Sequence, residues 1–380
     1  MSLRQMFQGS IVKPGFNPLA TQTPLYTYYL YTIGNNSSGQ LGLGNTTNYS
    51  SPKQVGSLTT WSSGYTSYNF SLAIKTDNTL WVWGTSTYGL GLSGVTTSVS
   101  SPVQVGALTN WLQVSSNYQT VSAIKTDGTL WTWGKGLYGA LGLGNTTNYN
   151  SPKQVGALTN WLQVSCGYVF SSAIKTDGTL WTWGLNSSGQ LGIGAATSSN
   201  YSSPKQVGSL TTWAKTYTNN ASVLAIKTNG TLWSWGQNGN GQLGLGNTTN
   251  YSSPVQVGAL TTWGVMGAGA AHSCAIKTDG TLWTWGANAS GQLGLSNTTA
   301  YSSPKQVGAL TTWLKASSAY GAYNSAVIKT DGTLWVWGTN GSGQLGLGNT
   351  TDYSSPKQVG SGATWYFASI GYSTGLTLLY

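Results

Sequence analysis

The segment AIKTDGTLWTWG stands unchanged at residues 123–134, 173–184 and 275–286, and near copies begin at Ala73, Ala225 and Val327. A chain that repeats itself this closely is built from stacked units, so the period decides the architecture before any domain is counted. The prolines of the phrase SPxQVG measure it. Pro52, Pro102, Pro152, Pro204, Pro254, Pro304 and Pro356 are separated by steps of 50, 50, 52, 50, 50 and 52 residues. All 19 Trp occupy repeat positions, one after LT(T/N) or AT and two in LWxWG.

Each unit reads as four short strands: PKQVG, WLQVSCG, SSAIKT and TLWTWG in the copy around residue 165. Asp-Gly joins the last two at 127–128, 177–178, 279–280 and 331–332, with Asp77-Asn78 and Asn229-Gly230 as variants. These pairs tolerate positive φ and predict two-residue hairpins of type I′. Four strands in about 50 residues predict a β-propeller blade. In LWTWG both Trp fall on one face of the strand, where large rings can fill the widening wedge between neighbouring blades. Gly84, Gly134, Gly184, Gly236, Gly286 and Gly338 close six such copies. Gly34 closes a seventh, LYTIG, in which Tyr31 and Ile33 replace the two Trp and no AIKTDG precedes. The missing strands stand at the other end, in WYFASIGYSTGLTLLY (365–380). The prediction is an all-β, seven-bladed β-propeller of four-stranded blades over residues 25–380. Its last blade is shared by the N- and C-terminal strands, which leaves no open sheet edge at the closure. Residues 1–24 form an arm outside the repeat.

The recurring marks are GQLGLG after WG.N, then Pro, then Trp, then AIKTDGTLWTWG. GQLGLG is intact at Gly39, Gly241 and Gly343, with variants at Tyr88, Tyr138, Gly189 and Gly291. In these marks the chain resembles the regulator of chromosome condensation repeat family, over roughly 350 of 380 residues. The resemblance implies a seven-bladed propeller whose last blade is shared between the termini. The family carries a His before AIK; here only His272 keeps it, and Phe70, Thr120, Phe170, Ser222, Asn324 and Thr374 take the other places. The family includes a guanine-nucleotide exchange factor, chromatin binders and ubiquitin-ligase modules. The exchange factor uses an inserted wedge and acidic residues; this chain has no insertion beyond two-residue loops and almost no acids.

Only 6% of residues are charged, and Glu is absent. With one His and six Asp, five of them at turns, there are no paired carboxylates for acid–base work and no His/Cys/Asp cluster with metal spacing. A Ser-His-Asp set would have to use His272, whose repeat position marks it as structural. GQLGLG follows a propeller strand and reads as a blade turn, not a phosphate loop. Cys166 and Cys274 sit at different phases of the repeat and read as small buried residues. The expectation is a protein that is not an enzyme, with no catalytic residue, cofactor or metal.

What remains is surface. The loop NTTNYSSP and its variants bring Tyr49, Tyr149, Tyr201, Tyr251, Tyr301 and Tyr353 forward as candidate contacts. The segments after the single Trp (SSGYTSYNF, CGYVFSS, KTYTNNASV and SSAYGAYNS) vary from blade to blade and suit adaptable recognition. The net charge of +10 is spread thinly. Six Lys recur before the hairpin turn and five after the proline, predicting two sparse rings that bind anions diffusely, with no sequence-specific nucleic-acid site. No stretch is long enough to span a membrane, and the first 20 residues lack the apolar core of an ordinary secretory signal. In the arm, Phe7, Ile11, Val12 and Phe16 have no repeat position to fill and are the expected partner-binding residues.

These features point to a non-catalytic interaction protein. The leading expectation is a phage virion component, on the tail or capsid, docked on other virion proteins through the arm as one of several copies. Its propeller is displayed for attachment, with a host surface glycan or lipopolysaccharide as the candidate ligand. The alternatives are an intracellular regulator of the exchange-factor or chromatin-binding type, and an extracellular lectin-like module exported without an ordinary secretory signal.

Overall fold

The structure, a computed structural model, describes residues 28–85, 90–95, 97–194, 199–317 and 321–379. Seven four-stranded antiparallel sheets follow one another around a central axis. The first blade shows the pattern: Trp61–Thr66 lines the axis, Phe70–Lys75 and Leu80–Gly84 follow outward, and Val99–Gln104 forms the outer edge. The seventh blade takes its two inner strands, Trp365–Ile370 and Thr374–Leu379, from the C-terminus. It takes its two outer strands, Tyr29–Gly34 and Tyr49–Gln54, from the N-terminus. The seam is a continuous ladder from Tyr29 opposite Leu379 to Gly34 opposite Thr374. The chain therefore closes its own ring, as the two half-copies predict.

The hairpins form where the sequence places them, but their turn differs from type I′. Asn78 N–H donates to the Lys75 carbonyl at 2.9 Å, and Lys75 N–H donates to the Thr79 carbonyl at 3.0 Å. Only the second residue of each pair is left-handed, as in Asn78 (φ +61) and Gly128 (φ +77). This is a type I turn with a bulge residue. The Asp carboxylate selects it: Asp77 Oδ1 accepts from Thr79 N–H at 3.0 Å and from its hydroxyl at 2.6 Å. The outer strands also begin earlier than PKQVG predicts, at Tyr49, Tyr149, Tyr201, Tyr251, Tyr301 and Tyr353. A bulge between Thr32 and Gly34 lets Gly34 reach Tyr49. Proline is tolerated there because the strand is an edge.

The core lies between blades. Phe70, Leu72, Ile74, Leu80 and Val82 of the first blade pack on Trp111, Val114, Val121 and Trp133 of the second, all buried. Of the LWxWG pair, the second Trp is fully buried, as the wedge reading requires, and the first is half-buried. Trp61 meets Trp83 edge-on at 6.1 Å and Trp81 at 6.3 Å, and the arrangement repeats in the other five intact blades. Such aromatic pairs add about 0.5–1.5 kcal/mol each beyond their area.

Successive blades are clasped by the GQLGLG turn. Trp83 Nε1 donates to the Gln40 carbonyl of the preceding blade at 2.9 Å, and a Cβ on Gly42 would lie 2.8 Å from that indole nitrogen. Trp183, Trp235, Trp285 and Trp337 donate to Ala140, Gln190, Gln242 and Gln292 in the same way. The glycine run is thus spent on contact with the next blade and not on an anion. At the seam Ile33 takes the Trp position, and Gly346 faces it.

Deleting residues 376–380 should expose the edge of Tyr29–Gly34 and remove the apolar burial of Leu376 and Leu378, both inaccessible in the closed ring. The two leucines alone imply a loss of about 3–6 kcal/mol, read as a lower denaturant midpoint. An unchanged midpoint would rule out this closure.

Candidate functional site

The ring has two faces. On the hairpin face the turns meet the loops that connect successive blades, as in Thr76 N–H to the Thr60 carbonyl at the entry to the same blade and Trp111 N–H of the next blade to the Asn78 carbonyl. On the loop face the turns after the innermost strands meet the ends of the third strands, as in Thr85 N–H to the Asn69 carbonyl.

The lysines of the hairpin face are not free to form an anion-binding ring. Lys75, Lys125, Lys175, Lys227, Lys277 and Lys329 each place the ammonium 3.6–3.8 Å from the centre of the first LWxWG tryptophan. Each also lies 4.9–5.1 Å from the innermost-strand tryptophan. Lys75, Lys125, Lys175 and Lys329 are buried outright. Loss of water lowers the pKa of Lys75, Lys125, Lys175, Lys227 and Lys277. These are cation–π stacks that tie three strands together, each supplying about 0.5–2 kcal/mol. The second set, Lys53, Lys153, Lys205, Lys305 and Lys357, lies 5.3–5.6 Å from the rings of Tyr49, Tyr149, Tyr201, Tyr301 and Tyr353. These tyrosines, together with Tyr251, are half-buried on the outer wall.

The axis holds a space of about 280 Å³ lined by all seven innermost strands. Tyr65 and Phe367 meet edge-on within it at 5.8 Å. Burial pushes the Tyr65 phenol up to about 12. Lys315 donates to the Tyr366 carbonyl at 2.6 Å and lies 3.6 Å from that ring's centre, and burial brings its ammonium down to about 8. Cys166 and Cys274 are free thiols, both buried. His272 is fully buried, with Nε2 3.0 Å from the Ser325 hydroxyl of the next blade. Among the described residues no three His, Cys, Asp or Glu side chains come together, and no helix is long and apolar enough to cross a membrane.

The loop face carries a feature that the sequence did not single out by residue. Tyr372, Tyr68, Tyr118 and Tyr168, from the turns of four consecutive blades, form an arc beside the channel mouth. Their ring centres are 5.2, 5.6 and 5.8 Å apart in that order. The signal was present: Tyr68, Tyr118 and Tyr168 recur at the 50-residue period, Tyr68 and Tyr168 within the variable segments SSGYTSYNF and CGYVFSS. The arm residues Phe7, Ile11, Val12 and Phe16 lie outside the described residues.

The repeat profile of the regulator of chromosome condensation family matches residues 29–74, 127–174, 177–216, 229–276 and 331–375, more than half of the chain. The chain belongs to this family. A second profile of the same repeat matches residues 161–190 and 266–292. No curated protein sequence matches the chain. Among solved structures it is similar to yeast RCC1 (Prp20) bound to Kap60, with a TM-score of 0.83, 17% identity, and coverage of 93% of this chain and 89% of that one. It is similar to human WBSCR16, with a TM-score of 0.82, 20% identity, and coverage of 93% and 100%. Prp20p of Saccharomyces cerevisiae gives a TM-score of 0.80 at 17% identity, covering 93% and 92%. At these identities the likeness shows the fold alone.

The one histidine that the family pattern leaves in this chain yields a pH prediction. Burial brings His272 down to about 4, against about 6.5 in an unfolded chain. Between those values the unfolded state binds the extra proton. Stability from the neutral imidazole is therefore complete above pH ~6.5 and is lost as the pH falls through ~4, up to about 3 kcal/mol. His272→Asn, which installs the residue that Asn324 supplies at the matching position, should flatten that window in urea midpoints measured at pH 7 and 4. Equal slopes in both proteins would assign the acid sensitivity elsewhere.

Proposed function

We propose that this propeller is a non-catalytic interaction protein of a phage tail or capsid. In this reading residues 1–24 dock on other virion proteins and the loop face points outward. The observation that carries the reading is where the chain enters the ring. Tyr28 bridges Thr60 and donates to the Thr59 carbonyl, on the hairpin face. A tether there leaves the opposite face, with its variable turns and tyrosine arc, open to the surroundings. Support also comes from the amide- and hydroxyl-rich composition with 6% charge and no Glu. Four apolar anchors, Phe7, Ile11, Val12 and Phe16, would supply on the order of 6–12 kcal/mol before ordering costs, and several copies would bind cooperatively through avidity. A chain starting at Pro24 should fold with an unchanged melting temperature and fail to join the particle. Normal assembly of the truncated chain would place the anchor on the blades and overturn the reading.

A second reading rests on the relatives. Yeast RCC1 (Prp20) is described bound to Kap60, and Prp20p with its binding to Gsp1p and histones. A regulator of that kind would need a partner-facing surface with acids. Here Asp77, Asp127, Asp177, Asp279 and Asp331 are committed to hairpin turns. We therefore expect no acceleration of GDP release from a small GTPase at any protein concentration; a dose-dependent acceleration would promote this reading over the first.

A further inference from the structure

We propose that the arc of Tyr372, Tyr68, Tyr118 and Tyr168 is a binding platform for an uncharged saccharide chain. The inference rests on the displayed-propeller reading for its biological setting and on the geometry of the loop face for its chemistry. The rings touch in sequence across four blades, 5.2–5.8 Å apart and inclined to one another by 36–60°, as a curved, stepped strip along the channel mouth. Tyr372 keeps 45% of its surface exposed and Tyr168 keeps 38%, although each already touches a neighbouring ring. A strip of aromatic rings with hydroxyl edges matches a sugar chain, whose apolar C–H faces stack while its hydroxyls exchange hydrogen bonds.

The strip is built and held. Tyr118 (φ +33) and Val169 (φ +50) occupy the left-handed region, which is unusual for a tyrosine and an outlier for a β-branched valine. The backbone between blades fixes these turns: Tyr168 N–H donates to the Asn220 carbonyl at 3.0 Å. Asn117 Nδ2 donates to the Cys166 carbonyl at 3.2 Å, and Gln344 Nε2 to the Tyr372 carbonyl at 3.2 Å. A platform ordered in advance loses little entropy on binding.

Charge decides the ligand class. Among the described residues, the charged side chains on loop-face connections are Lys135 and Asp352. The other described lysines stack on Trp or Tyr, or belong to innermost strands as Lys215 and Lys315 do, and five of the six Asp sit in hairpin turns on the opposite face. A nucleic acid would need several cations to neutralise its phosphates. An acidic glycan would likewise meet one lysine at most. The neighbours of the arc are instead Ser67, Asn69, Gln119, Asn220 and Ser373, uncharged donors and acceptors suited to hydroxyl groups.

The test uses the full chain on an array of immobilised uncharged tetra- to hexasaccharides of hexose and N-acetylhexosamine units, with single-stranded polythymidylate as the comparison. Binding to at least one saccharide is expected, unchanged between low and physiological salt. Tyr68→Ala and Tyr372→Ala should each weaken it by about tenfold or more, while Tyr68→Phe, which keeps the ring, holds it near the parent value. No saccharide bound, binding that survives both alanine variants, or preferential salt-sensitive binding of the oligonucleotide would each overturn the platform. The assay needs no particle. A negative result leaves the anchoring reading standing, whereas a chain that binds saccharide but joins no virion overturns that reading and leaves the platform.

Discussion

The structure depends on one joint, repeated around the ring: an indole N–H from one blade donating to a backbone carbonyl in the glycine-rich turn of the blade before it. A side chain at Gly42 would occupy the space of the Trp83 ring, so the turn and the tryptophan must be present together. The joint combines a satisfied buried donor with the largest apolar side chain available. It sets the distance between sheets from both sides. Because it recurs at Trp83, Trp183, Trp235, Trp285 and Trp337, the remaining positions are released from the task of holding blades together. The turns and loops that differ from blade to blade can vary for that reason.

Much of this was legible in the sequence, because period and patterning are carried by backbone and ring size. The blade count, the shared seventh blade and the role of the second Trp all follow from residues that recur. What escaped was decided by side-chain contacts that composition and pattern do not show. The hairpin turn type turns on Asp77 capping Thr79, which dipeptide preference alone does not reveal. The lysine ring looked like a cationic surface because a sequence shows charge and not what lies beneath it; Trp81 and Trp61 lie beneath Lys75. Tyr68, Tyr118, Tyr168 and Tyr372 became a unit only when the ring closed and brought the seventh blade beside the first.

The same packing explains how so little charge suffices. Most of the cations are stacked on aromatic rings or held in the channel wall, and most of the anions are used as turn caps. Polarity at the surface is carried by Asn, Ser and Thr, whose side chains also fasten the long loops. Asn36 donates from Nδ2 to the Asn45 carbonyl at 2.9 Å while its Oδ1 accepts from Leu41 N–H at 2.9 Å, and Asn238 and Asn340 do the same. These amide clips are independent of pH and weakly sensitive to salt, unlike the ion pairs that they replace.

The seam has a mechanical meaning as well. The strand Tyr29–Gly34 lies between Tyr49–Gln54 and Thr374–Leu379, hydrogen-bonded on both sides. A pull applied at Tyr28 runs along the strand axis. It loads both ladders in shear, so their hydrogen bonds resist together instead of opening one at a time from an end. A tether attached there would grip the ring through two strands that belong to opposite ends of the chain, and tension would be shared across the closure.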